Sequence, residues 1–340
     1  MAAPARDFFA QQESNRRKSS WLLIGFVFFF AWVGFGGDLA LHLATGDAPA
    51  GSYRHVIPIA GIVVTLLASS FAWVSWVWGD RQVLWSTRAM ELVHPATEGQ
   101  QRLVNVVDEM SIASGQPRPK LYLVPDDDPN AFATGRDPRH ASLAVTDGLL
   151  ELLDRDELQG VVAHEMGHIA RYDTQLMTLV AAMVGSIALV SDGFGRFLWH
   201  SGRAGRGVGS ALGRRSSKNA PVALVVFAIW LVTLILAPIV SRVMAMAISR
   251  KREFLADATA AQYTRNPGAL ARALEKLDGV RAPTRAVGRG AAHLCIVDPG
   301  DGRFSRLRGM MGNLLASHPP IEERISRLRQ MAFTSSIDGR

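Results

Sequence analysis

The chain has 340 residues, 48% of them hydrophobic and 20% charged, and a formal net charge of +7 carried almost wholly by arginine. One cysteine, Cys295, excludes an intramolecular disulfide, so a disulfide-stapled scaffold is ruled out. The basic residues cluster beside apolar runs with no interleaved aromatic-basic motif, which favours an anionic membrane surface and argues against nucleic acid.

Four stretches carry little or no charge: residues 19–37, 56–79, 175–190 and 219–241. A helix needs about 20 apolar residues to cross the hydrocarbon core, so the first, second and fourth are long enough. The third is short and needs help from residues 193–199, across the charge of Asp192. The first follows a basic flank (Arg16, Arg17, Lys18), yet its apolar core is long and no small-x-small site precedes Asp38. A retained anchor is expected there, not a cleaved signal. Trp73, Trp76, Trp78 and Trp85 gather at the end of the second stretch, as in an interfacial aromatic belt. Arg6, Arg16, Arg17 and Lys18 precede the first stretch, only Arg54 separates it from the second, and Arg81 and Arg88 follow. That asymmetry puts the N-terminus and the segment after Gly79 in the cytoplasm.

Residues 80–174 read as soluble. Leu103, Val106, Val107 and Met110 have the spacing of one helix face over residues 98–114. Strands are expected at 120–124, 130–134 and 142–146, with turn-forming Asp, Pro and Gly between them. The acidic run 126–128 lacks the spacing of a calcium loop and reads as a solvated turn. A helix begins at Asp154, with Glu157 at the capping-box position. Residues 201–217, rich in Gly, Arg and Ser, read as a flexible basic loop.

That helix contains His164-Glu165-Met166-Gly167-His168. Positions i and i+4 share a helix face, so both imidazoles can reach one metal ion. Zinc accepts imidazole nitrogen, and a catalytic site keeps one coordination position open. Glu165, beside the first ligand, can take a proton from an attacking water. A third protein donor is needed, and a second helix at 250–261 offers Glu253 and Asp257 on one face. Glu253 is the expected ligand and Asp257 the expected partner of a ligand imidazole; the alternative is that both pair with Arg250 or Arg252.

Taken together, these segments resemble the gluzincin membrane peptidases of the HtpX type, distant relatives of the CAAX-prenyl endopeptidases. The resemblance rests on His164 to His168, on Ser249-Arg250 with Glu253-Phe254-x-Ala256-Asp257, on Asn130-Ala131-Phe132-Ala133-Thr134-Gly135, and on Ser317-His318-Pro319-Pro320-x-Glu322-Glu323-Arg324-Ile325. It implies one Zn2+ per chain held by His164, His168 and Glu253, with Glu165 as base. It also implies an edge strand (Asn130, Ala131, Phe132, Ala133) on which a substrate lies extended. His318 would donate to the oxyanion, or else cap the helix that His318-Pro319-Pro320 begins. Arg324 would contact substrate, or pair with Glu322, Glu323 or another acid. A long Arg/Gly linker and a tract at 281–308 depart from the simpler family pattern. Nitrogen and carboxylate ligands would also accept cobalt or manganese.

The expected fold is α+β, mainly α: a zincin-like catalytic domain with a small β-sheet on about four transmembrane helices. Its parts are a basic flank (1–18), two spans (19–79), a cytoplasmic catalytic part with the zinc helix (80–174), a hydrophobic hairpin (175–248), and a second catalytic part with the third ligand (249–340). His168 precedes Gln175 by seven residues, about 10 Å of helix at 1.5 Å per residue, so the metal would lie near the membrane surface. The hairpin loop carries Arg196, Arg203, Arg206, Arg214, Arg215 and Lys218, against the positive-inside tendency if the hairpin spans. A spanning hairpin is still expected, since the fourth stretch alone is long enough. The chain reads as an endopeptidase of the bacterial inner membrane, its site facing the cytoplasm, acting on misfolded membrane proteins. The alternatives are a CAAX-type processing endopeptidase and a metal-binding membrane regulator without catalysis, which would have no need of Glu165.

Overall fold

The computed structural model describes residues 3–45, 54–180, 220–246, 250–280, 295–296 and 319–338. The chain divides into two compact units: Met1–Ser19, Val77–Ala182 and Val243–Arg340 form one, Ser20–Trp76 and Met183–Arg242 the other.

The described part of the second unit is helical and apolar. It holds most of α1 (Ala3–Thr45), of α2 (Ile59–Ser86) and of α6 (Ala220–Met246). The apolar run 19–37 lies inside the longer α1, while the run 56–79 enters α2 at Ile59 and the helix continues past it to Ser86. Among the described residues, two helices are long and apolar enough to cross a membrane, Gln12–Leu43 and Ile59–Ser86. Trp21, Phe28, Leu66, Leu67 and Trp73 are all exposed on them, a surface suited to hydrocarbon. α1 and α2 touch at Gly34 and Gly61, where a Cβ on Gly34 would stand 2.7 Å from the Gly61 Cα. Asp38 accepts from the Gly61 N–H at 2.6 Å and pairs with His55 Nε2 at 2.8 Å, satisfying the first turn of α2. Trp230 of α6 donates to the Val33 carbonyl at 2.7 Å. Most of the third apolar run and all of the 201–217 loop lie outside the described residues.

The first unit packs helices on a small mixed sheet. Its strands are β1 (Met90–Glu91), β2 (Lys120–Val124), β3 (Ala131–Gly135) and β4 (Ala141–Thr146), in spatial order β1-β2-β4-β3. β2 and β4 run parallel; β1 pairs antiparallel with β2 and β3 with β4, so β3 is an edge strand. The β3–β4 turn requires Gly135, at φ 136°, where a Cβ would stand 2.4 Å from the His140 carbonyl oxygen. α3 (Glu98–Ser114) buries the four expected residues, Leu103, Val106, Val107 and Met110. At the acidic run, Asp126 accepts from the Asp128 N–H at 3.1 Å, a local turn bond. A short α4 (Asp147–Leu152) was not foreseen, nor was β1. The core is closed by α5 (Arg155–Ala170), α7 (Arg250–Thr264), α8 (Pro267–Gly279) and α9 (Ile321–Asp338).

Candidate metal centre and active site

α5 starts where its sequence says it should. Asp154 accepts from the Glu157 N–H at 2.9 Å, and the Glu157 carboxylate accepts from the Asp154 N–H at 3.0 Å. Glu157 also meets Lys276 of α8 at 2.5 Å. From Gly160 to Ala170 every residue is buried, so this helix is a core element with the chemistry inside it. It ends at Arg171, and Tyr172 takes a left-handed φ of 59°. That reversal brings Asp173 back toward the helix.

Three donors converge. His164 Nε2 lies 3.2 Å from His168 Nε2 and 3.6 Å from Glu253 Oε2, while His168 Nε2 lies 3.6 Å from Glu253 Oε1. A tetrahedral zinc site with bonds of about 2.0–2.1 Å has edges of about 3.3–3.4 Å, so this donor set fits such an ion. The ring orientations agree. His164 Nδ1 is 2.9 Å from Asp257 Oδ1, and His168 Nδ1 is 3.1 Å from Asp173 Oδ2. With each Nδ1–H given to a carboxylate, both Nε2 lone pairs face one point, where only a cation or a proton relieves their repulsion.

Asp257 serves two masters. Arg324 donates to it through Nε at 2.9 Å and Nη2 at 2.7 Å, a bidentate pair, and Arg324 Nη1 is 3.4 Å from Glu253 Oε2. Burial alone would raise the Asp257 carboxyl, but Arg324 and His164 outweigh it and hold the pKa down at about 2. Burial lowers His164, yet its bonds to Asp257 and Glu253 prevail and push it up to about 9. Of the two readings for Arg324, the structure supplies the acid: Asp257. The arginine seen paired with Asp257, Arg324, comes from α9.

Asp173 is the site residue that sequence reasoning missed. It is fully buried, and it also accepts from Asn15 Nδ2 at 2.7 Å and faces Arg171 Nε at 3.4 Å and Arg252 Nη1 at 3.7 Å. Burial raises its carboxyl, but the His168 hydrogen bond and the two arginines bring the net shift below the ordinary range. Arg171 in turn donates to the Leu255 carbonyl and Thr259 Oγ1, fastening α5 to α7.

Glu165 points to the sheet. It is buried, and its carboxylate accepts from the Ala133 N–H of β3. Burial pushes its pKa up, opposed by the two histidines and reinforced by Glu253. Odd-numbered residues of β3 turn both backbone groups away from β4. On that outer side Ala133 meets Glu165, Gly135 N–H reaches Thr178 Oγ1 at 3.4 Å, and the Ala131 carbonyl accepts from the Ile296 N–H at 3.0 Å. The edge strand is therefore where the sequence put it, but this chain's own Ile296 lies along part of it, its carbonyl accepting from Arg324 at 3.3 Å. Asn130 is buried at the head of the strand, its Oδ1 accepting from the Ala131 N–H at 3.0 Å, and the Phe132 side chain is buried. The structure thus brings together His164, Glu165, His168, Glu253, Asp257, Arg324 and the β3 backbone, while His318 lies outside the described residues.

The profile of peptidase family M48 matches residues 97–332. The chain belongs to peptidase family M48 and is a metalloprotease. It is similar to a protease HtpX homolog of Caldanaerobacter subterraneus subsp. tengcongensis, 42% identical over 277 residues that cover 81% of this chain and 86% of that one. A protease HtpX homolog of Tropheryma whipplei is 40% identical over 317 residues, 93% of this chain and 96% of that one. With its two long apolar helices, the chain is a membrane protease. A crystal structure of S. mikatae Ste24p aligns with 88% of this chain at 18% identity and a TM-score of 0.43, and this chain spans 63% of its length.

Proposed function

We propose that this chain is an integral-membrane zinc endopeptidase in which His164, His168 and Glu253 hold the metal and Glu165 moves the proton. The observation that carries the reading is the convergence of two Nε2 atoms and one carboxylate at 3.2–3.6 Å, each imidazole fixed from behind by an acid. Bound there, zinc supplies Lewis acidity to a water and to a peptide carbonyl. Glu165 takes a proton from the attacking water as the C–O bond forms, and returns it to the departing amine when the C–N bond then breaks. The Ala133 N–H holds its carboxylate beside β3, along which the substrate backbone would lie against Ala131 and Ala133. Asn130 and Phe132 shape that strand, Arg324 lies at its end of the site, and His318 would donate to the oxyanion.

The long apolar helices support action on membrane proteins, with misfolded chains as the substrate class, since backbone pairing demands little of side chains. The basic flanks support a multi-pass topology in a bacterial inner membrane, of about four spans including the 175–241 hairpin, with the site facing the cytoplasm. The test compares purified wild-type protein with Glu165→Gln on an unfolded membrane-protein substrate. Turnover should drop by roughly 10²–10⁴-fold, the usual worth of a general base, at unchanged zinc content. Equal cleavage by the two proteins would overturn the mechanism.

A further inference from the structure

The residues before the first apolar run have no part in the proposed reaction. The geometry nonetheless points to Asn15 as a positioning residue of the metal centre, acting through Asp173 on His168; this rests on the metal site proposed above. Asn15 is fully buried. Its amide nitrogen donates to Asp173 Oδ1 at 2.7 Å and to the Arg171 carbonyl at 3.0 Å, so both of its hydrogens meet acceptors. The amide orientation follows from those partners, since the flipped form would set its oxygen against a carboxylate and a carbonyl.

The two oxygens of Asp173 then have separate tasks. Oδ1 is held by Asn15, which leaves Oδ2 aimed at His168 Nδ1, 3.1 Å away. Two cations compete for the same carboxylate: Arg171 Nε at 3.4 Å and Arg252 Nη1 at 3.7 Å. Without Asn15 the partners left to the carboxylate among the described residues are His168 and the two arginines, and it is free to turn toward the guanidinium groups. His168 Nδ1–H would lose its aligned acceptor, and the Nε2 lone pair its direction. Outer partners of ligating histidines act in this way on metal affinity.

The rival explanation is that Asn15 merely docks α1 on the end of α5. Gln12, one turn earlier on the same helix, separates the two. It donates to the Ala170 carbonyl at 2.6 Å, a docking contact that bypasses Asp173. The experiment uses the full-length protein in detergent micelles, stripped of metal by chelation. Zinc affinity is read by competition with a chromophoric chelator, and ligand geometry by the visible absorption of the Co2+ form.

Asn15→Leu should weaken zinc about tenfold, the low end for losing an outer partner of a ligating histidine, and alter the Co2+ spectrum. Gln12→Leu should change neither beyond about twofold. On an Asp173→Asn background, Asn15→Leu should add nothing, because the path it acts through is already cut. Three outcomes would overturn the inference: wild-type affinity in Asn15→Leu, an equal loss in Gln12→Leu, or additive losses in the double variant. If Asn15→Leu does not fold by circular dichroism, Asn15→Ser, too short to reach Asp173, is read by the same criteria. A wild-type protein that binds neither ion overturns the metal site itself, an outcome distinct from all of these.

Discussion

Asp257 Oδ1 stands 2.9 Å from His164 Nδ1 and ties the ring of this proposed metal ligand to a charge on another helix. The same oxygen lies 2.7 Å from Arg324 Nη2, so one carboxylate balances an imidazole and a guanidinium, all three buried. Such a group answers for both metal affinity and stability.

Asp257→Ala should therefore lower zinc affinity by roughly 10–100-fold. It should also destabilise the protein by about 3–5 kcal/mol, because the Arg324 guanidinium stays buried without its bidentate partner. Asp257→Leu combined with Arg324→Met should recover much of that stability but not the metal affinity. Denaturant titration and chelator competition on the three proteins separate the two effects.

Metal loading should be coupled to a proton. In the metal-free protein His164 titrates at about 9, above its ordinary 6.5, through its bonds to Asp257 and Glu253. Its protonated form thus stabilises the metal-free fold fully below pH 6.5, and this contribution is lost as the pH rises through about 9. A metal needs the neutral ring, so apparent zinc affinity should climb roughly tenfold per pH unit and level off above about 9. Proton release on adding zinc at pH 7.5, followed with an indicator in weak buffer, checks the stoichiometry. No release would mean that His164 is already neutral.

Gly160 sets how closely α5 and α8 approach. A Cβ there would stand 2.9 Å from both the Cα and the N of Leu270, backbone atoms that cannot turn aside. Gly160→Ala should cost about 1–3 kcal/mol, in the range of overpacked cores. Gly279→Ala, where a Cβ meets nothing within 4 Å, should be neutral or slightly stabilising. Thermal midpoints of the two variants test the contrast.

The parts of the site that were legible in the sequence are those built on local spacing. The i, i+4 histidines, the capping box that starts their helix and the Glu253/Asp257 pair one turn apart are all fixed by helix geometry within a dozen residues. The same rule puts Asp257 behind a ligand imidazole, and the structure adds that the ring is that of His164. What escaped was set by chain reversal and by long-range contact. Asp173 lies past the end of α5, and only the left-handed Tyr172 returns it to His168. Asn15 reaches it across 158 residues, a distance over which no periodicity speaks. The two-residue β1 has too little pattern to be seen. The sequence leaves Arg324 between substrate and acid because its partner belongs to another helix, and proximity in space is invisible in a linear motif.

The amide of Ile296 on the Ala131 carbonyl has a consequence for what the edge strand will accept. A strand carbonyl and the Arg324 guanidinium are the partners an extended peptide would seek there, and both are already engaged by a competitor joined to the enzyme through peptide bonds. Such a competitor acts at a local concentration that no dilute ligand matches. An incoming chain gains only if it replaces that short pairing with a longer one. A stretch of several unfolded residues can do so, whereas a brief peptide or the surface of a folded neighbour offers too little. On the substrate pairing proposed for β3, selectivity for disorder follows from a contest of lengths along one strand.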